Sequence, residues 1–333
     1  MIRNGRVSTH SRPWRQMALA ALGMLLLAGS PARAISIVVT YDPSVNPTET
    51  AAFNAAVGLL DGLYSNNITV RVDVNFSGSC SGTCLGQTSE SLYGVTYGSW
   101  LAAMGSDAAA NPSNTYLAAG YASLPASNPL SDPGHPNPSD YVAITGPNAR
   151  ALGLLGPSPS ADATLSFNTS VSWYFGLGAP GGAQYDFVNV AEHELDEVLG
   201  IGTELNPGFP APGIYMAEDY FRYASAGVRG SSTNPASLAY FSYNGGGTLV
   251  APFNQGPTGD INDWGYGCGT PHPQNAFTCT GTVATYNTGS PEFAVLSTLG
   301  YDGATVPEPA TWVLVLATLV FGGGLRLRRA IAG

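Results

Sequence analysis

The segment Val190-Ala191-Glu192-His193-Glu194-Leu195-Asp196-Glu197-Val198-Leu199-Gly200 concentrates residue types capable of chemistry. On a helix His193 and Glu197 project from the same face, one turn apart. An imidazole and a carboxylate so placed can share one divalent cation. Glu194 sits a third of a turn away, able to reach a water on that cation without ligating the cation itself. This arrangement suits hydrolysis, in which a metal acidifies the water and the glutamate takes its proton. The usual motif is His-Glu-x-x-His. Glu197 replaces its second histidine, a harder and more anionic ligand that leaves the metal less electrophilic.

A further ligand must come from elsewhere. After residue 34 the only histidines are His135, His193 and His272, and the first and last lie in Pro-rich loops. The search therefore turns to carboxylates. Glu204 lies just past the helix end. Asp219 is the preferred candidate, with Glu218 and His272 in reserve. Asp219 belongs to Glu218-Asp219-Tyr220-Phe221-Arg222-Tyr223, a charged patch inside an aromatic stretch. Arg222 can stabilise a developing oxyanion, or pair with an acid simply to hold the fold. Glu192, Glu194, Asp196 and Glu197 can be read as a solvated face. Leu195, Val198 and Leu199 occupy the other side, which puts His193 and Glu197 at the core boundary, where buried acids need a cation or a donor.

The elements that must position this helix are legible in part. Residues 36–41 form a β-branched run and predict a strand. Asn46-Pro47-Thr48-Glu49 opens a helix whose Phe53, Val57, Leu60 and Tyr64 share one face. Residues 68–76 alternate as a half-buried strand. A loop with Cys80 and Cys84 follows, then an Ala- and Gly-rich stretch, 89–120, read as helical. Residues 123–139 are Pro, Asn and Ser, a surface excursion. Residues 164–173 read as a strand, 176–182 as a flexible loop, 189–199 as the helix that ends at Gly200. Pro/Gly-rich segments with short strands lead to a last helix at 292–299.

Only 10% of the 333 residues are charged, there is no Lys, and hydrophobic residues make up 44%, enough for a packed core. Between residues 35 and 306 four arginines face 21 acids, a formal charge of −17. Such a body repels phosphates and excludes nucleic acid as a partner. It suits a carbohydrate-rich matrix or divalent cations, calcium included, although no calcium site is located. Residues 1–34 have the three zones of a secretory signal: Arg3 to Arg15, an apolar run over 17–28, and Ala32-Arg33-Ala34 before a mature start at Ile35. Export makes the four cysteines more suited to bridging than to metal. Of three pairings, Cys80 with Cys84 and Cys268 with Cys279 is the most local and the preferred one. A metal site from Cys268, His272 and Cys279 is the weaker alternative.

The chain ends in Val306-Pro307-Glu308-Pro309, an apolar segment over 310–325, and Arg326-Leu327-Arg328-Arg329. This tail resembles the PEP-CTERM sorting signal of Gram-negative bacteria. The resemblance implies processing by an exosortase-type membrane protease, release or attachment at the cell surface, and association with exopolysaccharide and biofilm. Membrane contact is then confined to this segment. The helix around His193 resembles that of a family of secreted, PEP-CTERM-associated zincin-type metalloproteases. So do the blocks Asp219 to Arg229, Tyr240-Phe241-Ser242, Gly259-Asp260-Ile261-Asn262-Asp263-Trp264 and Leu296 to Asp302. The likeness spans roughly residues 35–302. It implies that Glu197 is an ordinary feature of the family's His-Glu-x-x-Glu pattern. It also implies that the strand at 164–173 borders the substrate cleft and can pair with an extended peptide.

The expected fold is α+β, zincin- or metzincin-like: a small twisted sheet, an active-site helix and a loop-rich C-terminal subdomain. The expected organisation is a signal (1–34), one domain (35–305, with subdomains 35–200 and 201–305) and the sorting segment (306–333). The expected function is that of an exported peptidase with one catalytic zinc. His193, Glu197 and Asp219 are its ligands, Glu194 its base and Arg222 a catalytic helper. A non-catalytic scaffold in the surface matrix is the alternative.

Overall fold

A computed structural model describes residues 35–76, 80–130, 140–203, 205, 215–230, 238–256 and 258–304. The readings made for 1–34 and 306–333, including the apolar segment 310–325, lie outside the described residues, as do His135 and Glu204. Among the described residues no helix is long and apolar enough to cross a membrane.

The chain opens with β1 (Ser36–Tyr41), as its β-branched run predicts, and α1 (Pro47–Leu63). Asn46 caps α1 by accepting from the amides of Thr48 and Glu49, while Glu49 accepts from the Asn46 amide, a reciprocal capping box. Phe53, Val57, Leu60 and Tyr64 are all buried. The chain then forms β2 (Thr69–Phe76), β3 (Gly86–Glu90), β4 (Leu92–Thr96), α2 (Tyr97–Ala110), α3 (Thr115–Ala122), β5 (Tyr141–Thr145), α4 (Gly146–Ala151) and β6 (Ala163–Phe167). The 89–120 stretch is thus helical only in part: its start is strand, where β4 pairs antiparallel with β5.

The main sheet has the order β1-β2-β6-β3. The first three strands run parallel and β3 runs antiparallel against β6. The expectation that the strand at 164–173 borders the cleft needs correction. β6 is interior, paired on both sides, and β3 is the edge. Gly-Gln-Thr-Ser-Glu lacks the apolar alternation that marks a half-buried strand, so its membership comes from ladder hydrogen bonds to β6 and not from its own pattern.

After β7 (Trp173–Tyr174) and β8 (Tyr185–Asp186) comes α5 (Phe187–Leu199), the helix predicted over 189–199. Asp186 caps it, accepting from Val188 and Asn189. The helix lies against α1 and the edge strand β3. Phe167 centres this packing: its ring is 6.0 Å from Phe53 of α1 and 4.8 Å from Phe187 of α5. β9 (Tyr215–Met216) joins β5, and a 3-10 turn (Glu218–Phe221) follows. Then come β10 (Arg222–Ser225), β11 (Val228–Arg229), β12 (Tyr240–Phe241) and β13 (Ala251–Pro252), a second small sheet ordered β11-β10-β12-β13. The last helix, α6 (Pro291–Thr298), is wholly buried. The result is a mixed α+β fold. Cys80 is bonded to Cys84 and Cys268 to Cys279, the preferred local pairing.

Phe167→Ala removes the ring that ties β6 to both helices. The expected loss is about 3–5 kcal/mol of stability, read from the denaturant midpoint.

Candidate metal centre

Ten of the thirteen residues of α5 are buried, and only Val188, His193 and Glu197 are partly open. The acids of this helix therefore do not form a solvated face: Glu192, Glu194 and Asp196 are 5%, 3% and 0% exposed. The accessible stripe is the one carrying the imidazole and the carboxylate one turn on.

His193, Glu194 and Glu197 offer ligand atoms that all lie within 4.8 Å of one another. His193 Nε2 is 3.6 Å from Glu197 Oε1 and 3.9 Å from Asp263 Oδ1. Ligands bound at about 2.0–2.2 Å around one tetrahedral ion stand roughly 3–4 Å apart, so the His193–Glu197 spacing fits a shared cation, with Asp263 near the imidazole but outside that group. Imidazole with carboxylates is a donor set that zinc accepts and that harder divalent ions accept as well. On the other side of the ring His193 Nδ1 lies 3.0 Å from the Pro273 carbonyl. A carbonyl can only accept, so Nδ1 carries a proton, and Nε2 is the nitrogen turned to the carboxylates, free to hold either a proton or a cation.

Glu194 is seated differently. Its Oε2 accepts from the Thr88 hydroxyl at 2.7 Å, and the same hydroxyl lies 3.1 Å from the Glu194 backbone carbonyl. Gly86 of β3 leaves room for this carboxylate; a Cβ there would overlap it. The polar edge strand thus supplies both the orienting hydroxyl and the space.

Asp263 was not singled out by spacing. It comes from the turn-like run 259–263, seventy residues beyond the imidazole, and nothing in its local pattern marks it. The fold delivers it by fixing that run from several sides. Asn254 donates from its side chain to the carbonyls of Thr258 and Asp260, and from its amide to that of Asp263. Gly259 adopts a positive φ of +74°, where a side chain would be strained. Arg222 Nη1 donates to the Ile261 carbonyl at 2.6 Å while its guanidinium lies 4.3 Å from the centre of the Phe253 ring.

The two other predicted site residues have structural partners. Arg222 is 2% exposed and holds the 259–263 run from behind, near Glu218 and Asp219. Asp219 accepts from the Thr203 hydroxyl at 2.5 Å and the Met216 amide at 2.8 Å, joining the chain after α5 to β9. Neither Asp219 nor Asp263 belongs to the group of His193, Glu194 and Glu197, but Asp263 stands 3.9 Å from His193 Nε2. Glu218 accepts from the Gly202 amide at 2.8 Å. The His272 ring lies 5.1 Å from that of Tyr266, tilted by 39°, and its Nδ1 stands 4.0 Å from Glu292.

The electrostatics follow from crowding. Burial pulls the His193 pKa down, but Asp263 and Glu197 outweigh it and leave the pKa well above the usual histidine range. Burial, then the charge of Glu197, pushes the Glu194 carboxyl well up against the opposing pull of His193 and Thr88. Burial raises Asp263 to about 7 and Glu192 to about 8. Each of these acids binds a proton more tightly folded than unfolded, where carboxyls titrate near 4. Between those values the folded state holds more protons, so stability falls as pH rises. The metal-free chain is expected to melt at progressively lower temperature from pH 5 to pH 8. Glu192→Gln should flatten that slope by up to about 1.4 kcal/mol per pH unit. A melting temperature indifferent to pH over this window would contradict the assignment.

No family model, no curated protein and no solved structure matches the chain.

Proposed function

We propose that the chain is an exported, metal-dependent peptidase with a zincin-like catalytic helix. The observation that carries this reading is the group of His193, Glu194 and Glu197 ligand atoms on one helical turn, with Glu194 buried and oriented by Thr88 and Asp263 Oδ1 standing 3.9 Å from His193 Nε2. In this reading Asp263 takes the ligand place first expected of Asp219. The antiparallel edge strand running beside the helix supports the zincin-like class. The two disulfides are compatible with export into an oxidising compartment, as the signal-like first 34 residues suggest.

Zinc held by these residues would supply a Lewis acid that lowers the pKa of water and polarises a peptide carbonyl. The remaining work belongs to the chain. The Pro273 carbonyl keeps the His193 lone pair turned to the site. Thr88 holds one carboxylate oxygen of Glu194, leaving the other to take a proton from water. Burial raises the affinity of Glu194 for that proton, so the carboxyl can retain it until the leaving amine accepts it. Arg222 and Asn254 keep Asp263 in place. The proposed substrates are peptide bonds of proteins. Sorting through the C-terminal segment, with delivery to the cell surface or its polysaccharide matrix, remains part of the same proposal.

About one zinc per purified chain is expected, with cleavage of casein or gelatin that a chelator stops and zinc restores. Glu194→Gln should keep the metal and lose about 10²–10⁴ in kcat. His193→Ala and Asp263→Asn should lose metal, whereas Asp219→Asn should keep it and unfold more easily. Gly86→Ala should lower turnover at unchanged metal content by displacing Glu194. Stoichiometric metal without any turnover would instead favour the non-catalytic scaffold. Retention of metal in Asp263→Asn, together with its loss in Asp219→Asn, would return the ligand role to Asp219.

A further inference from the structure

The groups gathered at His193 are nearly all acceptors. Glu194, Glu197 and Asp263 offer no donor when ionised, and Asp260 adds a further charge within electrostatic reach of His193 and Glu197. Hydrolysis of a peptide bond places negative charge on the carbonyl oxygen, and an acidic pocket is a poor host for it without a hydrogen-bond donor. Thr88 is committed to Glu194 and Arg222 to the Ile261 carbonyl.

Gln274 is placed to supply one. Its side chain is fully buried. Its Nε2 donates to Asp263 Oδ1 at 3.0 Å and lies 3.4 Å from His193 Nε2. An amide nitrogen carries two hydrogens, so one is taken by Asp263 and the second is left on the side of Nε2 of the imidazole. Its Oε1 has no hydrogen-bond partner. The backbone at this residue is held at both ends: the Gln274 amide donates to Glu292 Oε1 at 3.2 Å, and its carbonyl accepts from the Trp264 amide at 2.7 Å. A neutral donor that does not titrate, aimed at the imidazole from a fixed backbone, is what a developing oxyanion requires.

We propose that Gln274 is a catalytic residue of this site, its second side-chain N–H hydrogen-bonding the scissile carbonyl oxygen as that oxygen becomes anionic. The assignment rests on the peptidase reading above. In the step, Glu194 takes a proton from water as the water oxygen bonds to the carbonyl carbon. The electron pair of the C=O double bond moves onto the oxygen, which Gln274 receives without transferring a proton. The carbon–nitrogen bond then breaks, the double bond re-forms, and the proton held by Glu194 goes to the departing amine. A cation held at His193 Nε2 would take that nitrogen away from the Gln274 amide. The second Gln274 N–H would then be available to substrate.

The test compares the zinc-loaded unaltered chain with Gln274→Ala and Gln274→Glu, using a fluorogenic peptide and a phosphinic analogue of the same peptide that carries a tetrahedral centre. Metal content is measured in every sample. With KM within a few-fold, kcat is expected to fall about 10²–10³-fold in Gln274→Ala, and further in Gln274→Glu, where an anion replaces the donor. Phosphinic-peptide affinity should fall with kcat/KM while zinc stays near one per chain. Three outcomes would overturn the assignment. They are unchanged kcat in Gln274→Ala, a loss of turnover that merely tracks lost zinc, and a loss of turnover with phosphinic-peptide affinity intact. A zinc-loaded unaltered chain with no turnover would instead defeat the peptidase reading, and this assignment with it.

Discussion

Carboxylates crowd one imidazole at the partly open edge of an otherwise buried helix. Like charges at a few ångströms repel strongly once solvent screening is removed, and each buried ion also forfeits its hydration. Three resolutions exist: protons, donors, or a cation. Protons account for the raised titration of Glu194 and Asp263. The donors present are Thr88 for Glu194 and Gln274 for Asp263. Glu197 and Asp263 stand 3.6 Å and 3.9 Å from His193 Nε2, which can answer them with a proton or with a bound cation. A divalent cation, as proposed, would resolve all of it at once. The elements around α5 can be understood as the scaffolding that keeps this repulsion from pushing the side chains apart.

That scaffolding comes from three directions. The main sheet provides the floor, with Phe167 bracing both α1 and α5. The polar edge strand β3 flanks Glu194 closely, which only glycine at position 86 permits. The C-terminal part provides the rest: Arg222 behind the 259–263 run, and Pro273 and Gln274 in front of the ring. Removing any one of these directions leaves a charged group without its counterpart.

How much of this could be read from the sequence differs by element. α5 was legible because its apolar positions and its His193-Glu197 spacing obey the same helical period. β1 and α1 were legible through a β-branched run and an Asn-Pro-x-Glu start. β3 was not, because an edge strand that packs against a polar helix face needs no apolar alternation. Its neighbour β6 was visible, and the sheet edge was therefore assigned to the wrong strand. Among the site residues His193, Glu194 and Glu197 announce themselves by adjacency on one turn. Asp219 stood out as an acid near an arginine, yet its oxygens are used to join Thr203 and Met216. Asp263 and Gln274 reach the imidazole only through the tertiary path of a long loop, and local composition carries no trace of that.

The bond between Cys268 and Cys279 spans the segment that contains both Pro273 and Gln274. These two residues meet an imidazole some eighty positions earlier in the chain. Tying a segment of this length removes roughly 3 kcal/mol of disorder from the unfolded ensemble on the chain-entropy view. The covalent staple therefore lightens the task of bringing two small polar contacts across a long sequence gap. Geometry at the ring is in this sense partly inherited from oxidation chemistry completed at a distance from it.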